Sequence, residues 1–169
     1  MNLSNLFLGC MFVSYSIPIV YIYYNYKNQD TLSEVLCDET CNQVIITSMV
    51  IMGIFIILYE CARNSLLSLI LISITLISIY GLLWYNCEQA LHNIFAFLCF
   101  ASILLFMIHH TGKKGSIILY LIIGLQYLLL LYTTVFVKDE IFVGECIFMI
   151  LFFVFYLYLH GLQIAGAKR

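Results

Sequence analysis

Charge is the scarcest property of this chain. Only 9% of its 169 residues are Asp, Glu, Lys or Arg, while 64% are hydrophobic. Ordinary soluble domains are about half apolar and about a quarter charged. A surface made from the present mixture does not dissolve in water, so the composition reads as an integral membrane protein. Proline is nearly absent as well, with Pro18 the only one. No Pro/Ser-rich linker, low-complexity tract or clear repeat divides the chain, which reads as one domain over 1–169. Alternation of polar and apolar residues is missing, which argues against membrane strands. No basic patch interleaved with aromatics occurs, so nucleic acid is not an expected partner. The first segment, "MNLSNLFLGCMFVSYSIPIVYIYY", lacks the basic start of a signal peptide and reads as a retained span.

The usual signatures of chemistry are also lacking. There is no HExxH, no GxSxG and no Walker motif. His109 and His110 are adjacent, so on a helix they point about 100° apart and do not chelate together. No metal, cofactor or catalytic residue is assigned on these grounds. No lysine lies mid-span, which excludes a retinal Schiff base.

What is present is a set of apolar runs, at about 5–24, 43–60, 65–85, 91–109, 116–137 and 141–161. Each is near the ~20 residues that a helix needs to cross a bilayer. The expectation is an all-α bundle of six transmembrane helices. Lys and Arg set its orientation. Arg63, Lys113, Lys114, Lys168 and Arg169 fall inside if the N-terminus is inside, and only Lys27 and Lys138 fall outside. Both termini are therefore expected in the cytoplasm. Asp30, Glu34, Asp38, Glu39, Glu88, Asp139 and Glu140 then make the outer face acidic. Tyrosines and Trp84 cluster near span ends, as headgroup anchors do; Tyr59, Tyr156 and Tyr158 are expected in that role at the inner ends. Pro18 is expected to free the Ser14 carbonyl and kink the helix, with Ser14 or Ser16 satisfying part of the loss.

Polar residues concentrate in two outer connections. "TLSE", Thr31 to Glu34, has the form of a capping box. Leu32, Val35 and Leu36 then share one face, which predicts a short amphipathic helix in the first outer loop, as a solvated lid or as a cover over a headgroup-sized pocket. The second connection is "NCEQALHN", residues 86–93. His92 starts the fourth helix beside Asn93, with Glu88 one turn earlier. Glu145 lies about one turn inside the sixth. Ionisable groups in a membrane usually face the bundle or water. His92 and Glu145 read as a polar clamp on a lipid headgroup, as an acid–base pair, or as a pair that ties helices together. Glu34, Glu88, His92, Asn93 and Glu145 are the candidate headgroup contacts. Lys113 and Lys114, in the inner turn "HHTGKKGS", are candidate contacts to anionic lipids.

Seven cysteines are present. Cys10, Cys99 and Cys146 lie in spans and read as small packing residues, and Cys61 lies at the inner interface. Cys37, Cys41 and Cys87 fall on the outer side, where an oxidising compartment would make a disulfide available. A bridge from the first loop to Cys87 would pin the lid, whereas Cys37 and Cys41 at helical spacing have poor geometry for one.

The stretch "LHNIFAFLCFASILLFMI", residues 91–108, with His92, Ala96 and Phe100, resembles the fourth-helix signature of the DRAM-like family. That family comprises damage-regulated autophagy modulators and relatives of a GPI-anchor remodelling factor. "LSE" (32–34) and "YECAR" (59–63) are similar to its first-loop and second-helix motifs, although the Gly and Pro-Pro that follow in the family are replaced here by "SEVLCDET". The resemblance implies a lipid-handling or membrane-regulatory role at endomembranes or the cell surface, with the acidic face lumenal or extracellular. It brings no catalytic residue set. Membrane lipids are the expected partners, with a protein partner or a second copy in the membrane also open. The other readings are a small transporter or channel with an acidic outer vestibule, a lipid-modifying enzyme with His92 as base, and a structural membrane protein.

Overall fold

The computed structural model describes residues 3–25, 35, 42–63, 65–85, 89–135 and 141–166. All regular structure among them is helical: α1 Leu3–Asn25, α2 Asn42–Ala62, α3 Leu66–Trp84, α4 Ala90–Lys114, α5 Ile117–Val135 and α6 Ile141–Gly166. Five are long and apolar enough to cross a membrane. The described apolar stretch of α5, Ile117–Tyr132, is shorter. These helices are compatible with a membrane-embedded protein.

The distribution of side chains agrees with lipid as solvent. Val13, Ile77, Phe97 and Leu121 are among many large apolar residues left exposed. Ser14, Ser48, Ser68, Thr75, Ser78, Ser102 and Gln126 are buried. In lipid there is no hydrophobic drive between helices, so contacts are made by small and hydrogen-bonding residues. Most of these hydroxyls are also satisfied locally. Ser14 Oγ donates to the Cys10 carbonyl at 2.8 Å, Ser78 Oγ to Ile74, and Ser102 Oγ to Cys99. Such groups close the helix on itself.

The described residues form two compact units, one reaching to Ser102 and one starting at Ile103, with α4 contributing to both. In the first, α1 packs extensively on α2, and Phe7 meets Phe55 with ring centroids 6.4 Å apart. α2 and α3 form a hairpin in which Leu76 closes over Gly53. α3 and the first half of α4 run antiparallel: Gly81 lies against Phe95, and Thr75 Oγ1 is 2.8 Å from Ser102 Oγ. In the second unit Phe106 stacks on Tyr156 at 5.6 Å with 5° between planes, and Phe152 packs edge-on against both rings. Gln126 of α5 donates to the Phe148 carbonyl of α6 at 3.2 Å.

Several expectations change. α4 continues through His109–Lys114, so the basic inner turn is the last part of a helix. The break comes at Gly115, whose φ of 62° is left-handed and whose N–H donates to the Thr111 carbonyl. Lys113 and Lys114 stand exposed in that last turn, where cations complement the helix dipole. Tyr59 and Tyr156 are each only 1% exposed and belong to the interior, because each finds aromatic or cationic partners there. Trp84 and Tyr24, both 71% exposed, do have the placement of anchors. α1 runs through Pro18 as helix, and the hydroxyls of Ser14 and Ser16 bond one turn back, to the carbonyls of Cys10, Met11 and Phe12. The capping box, Thr31 to Glu34, lies outside the described residues; of the expected amphipathic face only Val35 is described, and it is helical and fully buried.

Candidate functional site

The polar connection between α3 and α4 is built on one absent side chain. A Cβ on Gly81 would lie 2.4 Å from the Phe95 ring, so glycine lets α4 approach α3. Phe95 fills that space and stacks on Tyr85, with centroids 5.5 Å apart and 13° between planes. Tyr85 ends α3 in extended backbone, its N–H donating to the Gly81 carbonyl. His92 precedes Phe95 by three residues and therefore shares its helical face. It is 2% exposed.

The His92 ring is oriented by one hydrogen bond. Nδ1 lies 3.0 Å from the Tyr85 carbonyl oxygen. A carbonyl oxygen only accepts, so Nδ1 carries the hydrogen and donates. Carbonyls at a helix C-terminus lack partners within the helix, and the imidazole caps this one. In the neutral ring Nε2 is then an acceptor. That nitrogen is buried and has no hydrogen-bond partner among the described residues.

Asn93 is exposed. Glu145 is half-buried near the start of α6, in the second unit, whereas His92 belongs to the first. Glu34 and Glu88 lie outside the described residues, as do Cys37, Cys41 and Cys87, so the disulfide is not placed. Cys10, Cys61, Cys99 and Cys146 are free thiols, with Cys99 buried and Cys61 exposed. No cluster of His, Cys, Asp or Glu suited to a metal ion occurs among the described residues.

A second feature lies on α1 and α2. Asn5, Leu6, Gly9, Cys10, Val13 and Ile17 face Ser48, Ile51 and Phe55 across a groove of about 490 Å³. Ligand pockets are commonly ~300–1,000 Å³. From Asn5 to Ile17 at about 1.5 Å per residue the groove runs roughly 18 Å, within the span of a lipid hydrocarbon tail. Its floor is open because Gly9 has no side chain; a Cβ there would meet nothing within 4 Å.

Gln126 and Glu60 are among the buried polar groups that escaped the sequence reading. Gln126 is fully buried in α5, and its Oε1 has no partner among the described residues. The only signal is an amide in the middle of "LYLIIGLQYLLLLY". Glu60 is fully buried and pairs with Arg63 at 3.1 Å, and the Arg63 guanidinium lies 5.5 Å from the centre of the Tyr59 ring. No protein-family model, curated protein or solved structure matches this chain. The class defined by the fold is therefore an all-helical, apolar protein compatible with membrane embedding.

Proposed function

We propose that this chain handles membrane lipid: it is an integral membrane protein that holds an acyl chain beside α1 and α2 and a headgroup near His92. The groove from Asn5 to Ile17 carries this reading. It has the length and apolar lining that suit a hydrocarbon tail, and its opening depends on Gly9. His92 is the member of the expected headgroup set with the geometry of a binding group, since one ring nitrogen is fixed and the other has no partner among the described residues. Glu34, Glu88, Asn93 and Glu145 remain candidate headgroup contacts, and Lys113 and Lys114 candidate contacts to anionic lipid. The resemblance to the DRAM-like family points the same way, towards endomembranes or the cell surface with the acidic side lumenal or extracellular.

The test is to fill the groove. Gly9→Leu places a side chain where a Cβ meets nothing, so the helices have no reason to separate. Native mass spectrometry of the full chain in detergent should show bound phospholipid, and Gly9→Leu should remove it while helical content and melting are unchanged. Lipid retained by Gly9→Leu at wild-type occupancy would rule the groove out.

A further inference from the structure

His92 allows the headgroup chemistry to be named, and the inference rests on the lipid-handling reading above. Its Nδ1–H is committed to the Tyr85 carbonyl, which holds the ring against the end of α3. The remaining nitrogen is a buried acceptor without a donor among the described residues. Such a group is destabilising until something donates to it. The candidates are few. A phosphodiester presents only acceptors and would oppose the Nε2 lone pair. An ammonium group would donate, but it carries a charge into a buried site, and burying a charge is heavily penalised. A neutral hydroxyl donates without that penalty.

We infer that His92 Nε2 accepts a hydrogen bond from an alcohol, so that the site selects a polyol headgroup over a choline one. The hydroxyl is recognised whether it comes from a polyol lipid or from the free polyol. Choline headgroups carry no O–H or N–H and leave Nε2 unanswered.

The experiment uses the full chain with ¹⁵N-histidine in phosphatidylcholine nanodiscs, with and without a minor fraction of phosphatidylinositol. The His92 signals should show the Nδ1–H tautomer in both, and Nε2 should shift only when phosphatidylinositol is present. Free myo-inositol added to pure phosphatidylcholine discs separates the two sources: a shift there assigns the site to a soluble polyol, and silence there with a shift from the lipid assigns it to the headgroup. An Nε2–H tautomer overturns the inference. So does an Nε2 signal that neither polyol moves, the result expected if a single water fills the place. His92→Asn keeps an N–H donor for Tyr85 and removes Nε2. It should melt like the wild type yet lose phosphatidylinositol enrichment by about tenfold, the worth of one buried hydrogen bond. Enrichment unchanged in His92→Asn also overturns it. If lipid still occupies the Gly9 groove while His92 ignores polyols, this inference alone fails; if Gly9→Leu also leaves lipid untouched, the broader reading fails with it.

Discussion

Three residues show how little chemistry is needed to set local structure in an apolar chain. Gly81 is required by distance and not by backbone angle, because the Phe95 ring occupies the place of its Cβ. Gly81→Ala should therefore destabilise by about 1–3 kcal/mol, the usual range for overpacking. Thermal unfolding in detergent measures it, and Phe95→Ala added to Gly81→Ala should recover part of the loss, since neighbouring sites do not add. Arg63 presents the opposite situation. Its partner Glu60 is fully buried, so Arg63→Ala leaves a carboxylate without its cation. A loss of about 3–5 kcal/mol is expected, and removing the charge with Glu60→Gln in the same chain should reduce it. Gln126 differs again. Gln126→Leu deletes the bond to Phe148 but also deletes a buried Oε1 that lacks a donor among the described residues. Hydrogen bonds between membrane helices average about 0.6 kcal/mol, so a change under about 1 kcal/mol is expected.

At the scale of elements, α4 stands out because its two ends are governed by different rules. Its start is held by the His92 cap on α3 and by Phe95. Its end is held by backbone geometry: Gly115 takes a φ of 62° and donates to Thr111, the left-handed stop that follows many helices. A Cβ there meets nothing, so the penalty of Gly115→Ala is purely conformational. It should be about 1 kcal/mol, read as a lower melting temperature with unchanged lipid occupancy. The tyrosines give the complementary lesson. Their positions at span ends suggested anchoring for all of them, but burial separates Tyr59 and Tyr156 from Tyr24 and Trp84. Periodicity cannot make that distinction, since it depends on which neighbour a helix face meets.

For the whole molecule the main question is orientation. The orientation expected from Lys and Arg puts the end of α2 in the cytoplasm, and Cys61 at that end is exposed. In a chain keeping Cys61 as its single cysteine, a membrane-impermeant maleimide should label it in inverted vesicles and not in intact cells. Labelling in intact cells would reverse the topology and move the acidic face inside. Much of the architecture was legible before any fold was known. All six expected runs are helices, with bounds differing by five residues or fewer, because a bilayer leaves the backbone few alternatives to a helix. His92 was also singled out, as a polar residue at the start of an apolar helix. The groove was not visible, because it is made of ordinary Gly, Ser, Val and Ile whose meaning comes from what lies opposite them. Gln126 and Glu60 were passed over because a single polar residue in a run says nothing about its partner.

Composition and run length by themselves determined an all-helical chain suited to lipid, since hydrophobicity and backbone hydrogen bonding act along the sequence. Tertiary structure alone decided that Gly9 opens a groove, that Gly81 admits Phe95, and that His92 spends one ring nitrogen on Tyr85 while the other meets no donor among the described residues. Those are facts about distances between residues far apart in the chain, and no local pattern encodes them.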